Sequence, residues 1–369
     1  MDMGRENTEK CIAILSMQRI VNFGSVLQAY SLRNIIWELT GQKASFLDID
    51  LSDCCPSIKS IPESVDYETP VAYPPGNMQK AKRRVISKLS AYNKHLIHTF
   101  MHKELELDTD LSEKYSHVVI GSDEVLNHRN ETVCLQLHGK VENADHVFTY
   151  AASCGNARAE DILDQDRIRV KDALDHLSEI SVRDDATATY VQGLCGRDTL
   201  HHLDPVLVGD LYDRKHKPVW LKNYLIVYAY GHRIRTADEI SAIQRFAREH
   251  SLKTVAIGGS QFWCDLYLPL SPFRVLDYFY YADYVVTDTF HGAIFSIINQ
   301  RKFAVIPRKT NQAKVLGLLS DLGLSNRVLQ GIDQLEAVLT EDIPYDAVDE
   351  ILARERIRTR EYLQKQLGV

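Results

Sequence analysis

The sequence lacks long hydrophobic runs, paired cysteines and an excess of positive charge. No stretch of its 369 residues approaches the roughly 18 consecutive apolar residues that a membrane-spanning helix needs. Seven cysteines are scattered without a Cys-x-x-Cys pair, which favours reduced thiols. The net charge of -7 argues against a general nucleic-acid-binding protein. These absences predict a cytoplasmic protein without a secretory signal, whose contact with a membrane would be peripheral, at the inner face.

Cofactor motifs are missing as well. The turn Asn22-Phe23-Gly24-Ser25 has one glycine where the Gly-x-Gly-x-x-Gly dinucleotide fingerprint has three. His201 and His202 are adjacent and would point to opposite sides of a strand, and no other histidines or cysteines have the spacing of metal ligands. We therefore expect no dinucleotide site and no metal requirement.

The hydrophobic pattern predicts an α/β protein with two domains. Short apolar strands alternate with amphipathic helices, as in parallel sheets, and 45% hydrophobic residues suffice for a core in each domain. We predict an N-terminal domain at 1–208, a linker at 209–222, a C-terminal domain at 223–344 and a closing helix at 345–369. The first domain includes a Pro- and Ser-rich loop excursion at 51–79 and a basic helix at 80–103.

The most informative stretch surrounds His291. Tyr284–Thr287 has the apolar, β-branched composition of a buried strand, and an apolar helix is predicted after the polar turn 288–292. Asp288 or Thr289 can cap that helix. His291 would then lie at the carboxyl edge of a sheet and in a first helical turn, where anions bind. A histidine there can transfer a proton near neutral pH, although it can also simply cap or pack.

Two other predicted strands end in polar residues. The strand at 117–120 leads into Gly121-Ser122-Asp123-Glu124, where Asp123 can orient a hydroxyl, act as a base or cap the next helix. Arg183 follows the strand at 179–182, and its planar guanidinium suits a carboxylate or phosphate ligand. The alternative for Arg183 is an ion pair with a neighbouring aspartate.

Several blocks of the chain carry a family resemblance. They are Asn22-Phe23-Gly24-Ser25-Val26-Leu27-Gln28-Ala29-Tyr30, Gly121-Ser122-Asp123-Glu124-Val125-Leu126-Asn127, Ser181-Val182-Arg183-Asp184 with Asp204-Pro205, and Asp288-Thr289-Phe290-His291-Gly292. In order and spacing they resemble the motifs of the polysaccharide pyruvyl transferase family, over residues 12 to about 328. The sequence departs from the family at Glu124, where the usual residue is Gln, and at Leu126, where it is Trp.

The resemblance implies two Rossmann-like domains that face each other across a cleft, as in GT-B glycosyltransferases, with the C-terminal helix crossing back to the first domain. It implies transfer of pyruvate from phosphoenolpyruvate, a co-substrate rather than a cofactor, to a sugar of a surface-polysaccharide precursor such as a capsule or exopolysaccharide. The product would be a cyclic ketal, with phosphate released.

The resemblance also suggests roles for individual residues. His291 would be the general acid or a phosphate contact, and Asp123 a base. Arg183 and Lys314 would bind anionic groups of the substrate, together with the helix starts at Gly24 and His291. The remaining motif positions are expected to bind substrate: Asn22, Ser122, Glu124, Asp288, Thr289 and Gly292.

Two other functions are compatible with the sequence. One is a nucleotide-sugar glycosyltransferase of the same architecture, and the other is a non-catalytic sugar-binding relative in capsule assembly, which the departures at Glu124 and Leu126 allow. The basic helix 80–103 is either a solvated helix or a contact with anionic lipid. The sequence leaves open the acceptor sugar, its hydroxyl pair, the ketal stereochemistry, any lipid linkage and the oligomeric state.

Overall fold

The protein consists of two parallel α/β sheets with helices packed against them. The computed structural model describes residues 11–50, 77–107, 114–130, 133–231 and 233–369. Within these ranges, no helix is long and apolar enough to cross a membrane. The cysteines at positions 11, 134, 154, 195 and 264 form no disulfide bond. The predicted excursion 51–79 lies almost entirely outside the described residues.

The first sheet is formed by strands between residues 12 and 201. Its described strands are β1 Ile12–Leu15, β2 Ser45–Phe46, β3 Tyr115–Asp123, β4 Ala144–Ala152, β5 Ser181–Val182 and β6 Leu200–His201. They pair in parallel in the order β2-β1-β3-β4-β5-β6. β2 is short, because only Ser45 and Phe46 pair with β1.

The described α-helices of the first half of the chain are α1 Phe23–Thr40, α2 Asn77–Phe100, α3 Asp164–Asp175, α4 Asp185–Cys195 and α5 Pro205–Val208. Of these, α1, α4 and α5 begin at a capping side chain. The Asn22 side chain accepts a hydrogen bond from the Gly24 amide at the start of α1, and Gly41 ends the helix with φ +71°. Asp204 caps α5 in the same way, with Pro205 in the first turn.

The second sheet is formed by strands between residues 224 and 305. Its described strands are β7 Tyr224–Ala229, β8 Lys253–Gly258, β9 Leu266–Tyr267, β10 Tyr284–Thr287 and β11 Lys302–Val305, in the parallel order β11-β10-β7-β8-β9. Its helices are α6 Ala237–Glu249, α7 Pro272–Tyr281, α8 Phe290–Ile298, α9 Gln312–Asp321 and α10 Leu335–Thr340. β10 has the boundaries expected from the sequence, because its four residues form an uninterrupted apolar and β-branched run.

The last helix, α11 Tyr345–Leu367, crosses back to the first domain. The Tyr362 hydroxyl donates to the Thr149 carbonyl of β4 at 2.7 Å, and Arg360 donates to Glu38 of α1 at 2.8 Å. Near its start, α11 also contacts the second domain, where the Tyr345 hydroxyl donates to the Arg301 carbonyl at 2.5 Å. The expected architecture of two facing Rossmann-like domains with a crossing helix is therefore confirmed.

The basic helix differs from its prediction in extent and packing. It spans residues 77–100 and continues as a π-helical turn, Met101–Leu105, whereas the sequence suggested 80–103. Its buried residue Ile86 belongs to the core cluster of the second sheet, and the Asn93 side chain accepts a hydrogen bond from the Leu270 amide at 2.8 Å. α2 thus belongs by sequence to the first half of the chain but packs against the second. The predicted domain boundaries stay predictions.

Candidate active site

A cleft of about 490 Å³ lies where the carboxyl ends of both sheets face each other. In the first domain its wall follows β3 and β5, and in the second it follows β7 and β10. Its polar and charged lining residues include Asn22, Ser25, Lys94, Asp123, Glu124, Arg183, Tyr230, Arg233, Thr289, His291, Asn311 and Lys314. This is the edge at which open α/β sheets bind ligands.

The turn before α8 places His291 on this wall. Thr289 is the cap residue, and its Oγ1 accepts from the Gly292 amide at 3.0 Å. A Cβ on Gly292 would lie 2.0 Å from Thr287 Oγ1, so only glycine fits there. Thr289 and Gly292 therefore shape the turn that holds His291. Thr289 also lines the cleft, while Gly292 does not.

The start of α1 meets the start of α8 at His291. A Cβ on Gly24 would lie 2.1 Å from His291 Nδ1, so the imidazole packs directly against the Gly24 backbone. Gly24 is thus required for the close approach of the two domains at the imidazole. Gly24 itself does not line the cleft, and the anion contact expected at the start of α1 stays a prediction.

Asp204 faces His291 from the first domain. Its fully buried carboxylate oxygen Oδ2 lies 3.6 Å from His291 Nε2 and accepts from Arg183 at 3.0 Å. Burial alone would raise the pKa of Asp204, but His291 and Arg183 lower it below the usual range. Asp204 is therefore an ionised carboxylate that faces Nε2, and Nε2 has no hydrogen-bond partner among the described residues.

Arg183 is held between two buried aspartates. It donates to Asp204 Oδ2 at 3.0 Å and to Asp123 Oδ1 at 3.3 Å, and its guanidinium carbon lies 4.5 Å from the centre of the Phe290 ring. Burial would lower the pKa of Arg183, but the two carboxylates raise it. The sequence left two alternatives for Arg183, an anion-binding residue and an ion pair with a neighbouring aspartate. Arg183 lines the cleft, and its ion-pair partners are the distant Asp123 and Asp204.

Asp123 joins this network from the end of β3. Its Oδ2 accepts from the Ser25 hydroxyl at 2.6 Å, and the residue has φ +82°. Burial would raise the pKa of Asp123, but Arg183 and His291 lower it. Asp123 is consequently ionised, and its oxygens accept from Ser25 and Arg183.

Glu124 and Lys314 meet across the cleft in an ion pair between Oε1 and Nζ. Glu124 Oε2 also accepts from the Asn127 amide at 2.8 Å. Burial would raise the pKa of Glu124, but Lys314 lowers it. Lys314, expected to bind an anion of the substrate, thus has a carboxylate partner from the protein itself.

Asn22 and Tyr230 make a second contact between the domains. The Asn22 amide donates to the Tyr230 hydroxyl at 3.2 Å, and Arg233 lies 4.9 Å from the Tyr230 ring centre. The Arg233 guanidinium donates to Thr310 at 3.1 Å beside the cleft. This side of the wall therefore carries positive charge and hydroxyl groups.

Besides Gly24 and Gly292, two further expected site residues do not line the cleft. Ser122 is fully buried, and its hydroxyl donates to Asp204 Oδ2 at 3.3 Å. Asp288 is also fully buried and pairs with Arg308 at 3.3 Å. Burial raises the pKa of Asp288 to about 6, with Arg233 and Arg308 opposing the rise. Both residues support the walls instead of facing a ligand.

Sequence reasoning missed Asp204, Ser25, Tyr230 and Arg233 as site residues. Asp204 could have been found from the Asp204-Pro205 motif, whose aspartate caps α5. Ser25 belongs to the first family motif, at 22–30. Tyr230 and Arg233 had no local signal, because only the facing of the two sheets brings them to the cleft. In the described part of the chain, no three His, Cys, Asp or Glu side chains are grouped to hold a metal.

The sequence profile of the polysaccharide pyruvyl transferase family matches residues 22–310, which include every block described above. The chain belongs to the polysaccharide pyruvyl transferase family. Membership makes it a transferase of polysaccharide biosynthesis with a sugar acceptor. No curated protein matches the sequence significantly.

Solved structures with a similar fold are remote from this pyruvyl transferase family member. Arabidopsis thaliana UGT89C1 complexed with UDP-L-rhamnose is 10% identical, with 98% of this chain and 100% of that one covered and a TM-score of 0.48. Methanocaldococcus jannaschii UDP-GlcNAc 2-epimerase is 10% identical, with 94% and 93% covered and a TM-score of 0.44. S. aureus MnaA is 10% identical, with 95% and 90% covered and a TM-score of 0.45. Nothing about the ligand of this protein follows from such distant similarity.

Proposed function

We propose that the protein transfers pyruvate from phosphoenolpyruvate to two hydroxyls of one sugar of a surface-polysaccharide precursor. The observation that carries the proposal is the buried chain Asp123–Arg183–Asp204–His291, which ends on the cleft wall opposite the start of α1. It provides an ionised base, a fixed cation and a histidine within one cleft. These are the groups that an enol phosphate with a carboxylate requires.

The reaction has two bond-forming stages. In the first, a sugar oxygen bonds to carbon 2 while carbon 3 gains a proton and becomes a methyl group. In the second, another hydroxyl of the same sugar bonds to carbon 2 as the bond to the phosphate oxygen breaks. The proton lost by that hydroxyl leaves with the phosphate, so the products are a cyclic ketal and inorganic phosphate.

His291 and Asp123 are suited to the proton transfers. His291, oriented by Asp204, donates to carbon 3 or to the departing phosphate, and the ionised Asp123 accepts the proton of the attacking hydroxyl. The cations Arg183, Lys314 and Arg233, with the N-terminus of α8, favour the carboxylate and the phosphate. Positioned proton transfer of this kind typically contributes about 10²–10⁴-fold to the rate.

The first test measures donor binding through thermal unfolding. Tm is compared in the presence of phosphoenolpyruvate, nucleotide sugars and inorganic phosphate. A ligand at about 100 times its Kd stabilises the native state by roughly 2.7 kcal/mol. We expect a shift in Tm with phosphoenolpyruvate that exceeds the shift with phosphate. A shift with nucleotide sugars alone would instead favour the glycosyltransferase.

The second test is turnover in His291→Ala, measured as acceptor-dependent phosphate release from phosphoenolpyruvate. We expect the rate to fall by about 10²–10⁴-fold, because the proton donor is removed. His95→Ala is the matched control, since His95 is exposed on α2 and does not line the cleft. Near-normal turnover in His291→Ala would remove His291 from the mechanism.

We also propose that the acceptor reaches the cleft at an anionic membrane surface. One face of α2 carries the exposed residues Arg84, Val85, Lys88 and Tyr92 at helical spacing. The adjacent face of the helix lines the cleft through Asn93 and Lys94, among others. Cations with exposed apolar groups beside a cleft suit a sugar carried on a lipid.

A further inference from the structure

The strongest unassigned feature is the ion pair between Glu124 and Lys314. It joins the two walls of the cleft, since Glu124 follows β3 of the first sheet and Lys314 lies on α9 beside the second. The side chains are only 29% and 11% exposed, so water screens the pair weakly. An anion that binds Lys314 therefore competes with Glu124 for the same ammonium group.

The groups around Glu124 determine how its carboxylate responds when Lys314 binds another anion. A Cβ built on Gly155 would lie 2.6 Å from Glu124 Oε2, so the carboxylate is closely packed. Asn127 donates to the same oxygen, but it is neutral and cannot replace the charge of a lysine. The charged and titratable groups that face Glu124 are Lys314 of α9, Asp123 of β3, Arg183 after β5, Tyr230 after β7 and Cys154 after β4.

The balance of these charges favours protonation once Lys314 is engaged elsewhere. Burial and Asp123 raise the pKa of Glu124, and Lys314 is the main influence that lowers it. Arg183 is already shared by Asp123 and Asp204. If a bound anion takes Lys314, the pKa of Glu124 rises, and a negative ligand nearby raises it further. The carboxylate then takes a proton from solvent.

We propose that Glu124 is a specificity-determining residue, which competes with the anionic donor for Lys314 and couples donor binding to proton uptake. The inference rests on the proposed function, in which the donor is phosphoenolpyruvate. It follows that the donor binds more tightly as the pH falls. Glu124 thereby selects ligands with enough negative charge to displace a carboxylate, and disfavours neutral or weakly charged ones.

The test is isothermal titration calorimetry of phosphoenolpyruvate with wild type and Glu124→Gln, in buffers of different ionisation enthalpy. Glutamine keeps the size of the side chain and an acceptor for Asn127, but it cannot ionise. For wild type we expect net proton uptake and a Kd that weakens by up to about tenfold per pH unit as the pH rises. For Glu124→Gln at about pH 8 we expect Kd to be roughly tenfold lower, with the uptake due to Glu124 abolished.

Two controls separate the competition from general charge effects. Glu142→Gln removes the same charge at an exposed position away from the cleft and should leave Kd and proton uptake as in wild type. Lys314→Gln should weaken binding and also abolish the uptake, because Glu124 then has no lysine to lose. Protonation of the ligand itself contributes equally to all variants and cancels in the comparison.

The outcomes distinguish this inference from the proposed function. If wild type binds phosphoenolpyruvate but Glu124→Gln has the same Kd and the same proton uptake, Glu124 does not compete and the inference is overturned. If neither wild type nor Glu124→Gln binds phosphoenolpyruvate, with or without acceptor sugars, the donor assignment fails and the inference fails with it. Tighter binding without a change in proton uptake would refute the coupling.

Discussion

At the scale of single residues, the buried carboxylate of Asp204 contacts the groups that face the cleft, without lining the cleft itself. Asp204 contacts Arg183, Ser122 and His291 from a fully buried position, so one side chain fixes the cation and the histidine together. Removing one partner of a buried ionic group typically costs about 3–5 kcal/mol, because the remaining charge is left without compensation. Asp204 is thus a positioning residue, and the groups that face the cleft are those it holds.

Gly24 gives a prediction at this scale. In Gly24→Ala the new methyl group would overlap His291 Nδ1, since the two atoms would be 2.1 Å apart. The imidazole or the whole start of α1 must move, and misplacement of a catalytic group by about 1 Å can cost about 10²-fold in rate. We expect turnover to fall to that extent while the secondary structure, measured by circular dichroism, is retained.

The matched control is Gly317→Ala. Gly317 lies within α9, and a Cβ there meets no heavy atom within 4 Å. Alanine is favoured over glycine in a helix by about 1 kcal/mol, so this variant should be slightly more stable and equally active. Equal activity of both variants would contradict the close packing of His291 on Gly24.

At the scale of elements, two helix starts and one basic helix define the cleft. α1 and α8 approach each other with their N-terminal ends, and such ends favour anions through free N–H groups and the helix dipole. α2 closes a side of the cleft by packing on the second domain. Its outer face is left to solvent, and there Val85 is 57% exposed and Tyr92 is 53% exposed.

The outer face of α2 provides the second prediction. The double variant Arg84→Glu and Lys88→Glu should bind vesicles containing anionic lipid at least roughly tenfold more weakly, because each basic residue near such a surface contributes about 1 kcal/mol. Co-sedimentation with anionic and neutral vesicles measures the difference. Arg354→Glu with Lys365→Glu, two exposed positions on α11, is the charge-matched control. Equal binding of both double variants would refute a membrane contact through α2.

At the scale of the whole molecule, α11 ties the two domains together. It contacts α1, α5 and the first sheet along its C-terminal half, and the second domain near its start. Contacts between the two halves include polar pairs, such as Asn22 with Tyr230 and Glu124 with Lys314, and apolar packing, such as the Tyr30 ring on the Phe273 ring. The two domains are therefore joined by a long helix, by polar pairs and by a shared apolar cluster.

Acid stability is the prediction for the whole molecule. Burial lowers the pKa of His128 and His138 to about 4 and that of His202 to about 3, and all three lie in the first domain. Their stabilising effect is complete above the unfolded pKa of about 6.5. It is lost as the pH falls, because the unfolded chain binds protons that the folded chain rejects.

At about pH 5 each of the three histidines should lower the free energy of unfolding by about 2 kcal/mol. Urea unfolding at about pH 7.5 and about pH 5 measures this difference, and hydrogen exchange should show the first domain opening first. Aspartates and glutamates of ordinary pKa titrate below this window. Asp288, whose pKa burial raises to about 6, takes up its proton within the window and offsets part of the loss. A free energy of unfolding that is the same at both pH values would contradict the burial of neutral histidines.

The sequence determined the local elements because their signals are local. Strands β1 and β10, helix α11 and the cap of α8 follow from hydrophobic period and capping side chains, which depend on neighbours within a few residues. The same signals, with the family motifs, placed His291, Asp123 and Arg183 at strand ends.

Only the tertiary structure decided which side chains meet. Arg183 pairs with Asp123 and Asp204, Lys314 with Glu124, and α2 with the second domain, and these partners are far apart in sequence. Their contacts depend on the order of parallel strands and on how two sheets face each other. A charge pattern along one chain does not contain that information, because a residue type alone does not select between several oppositely charged partners.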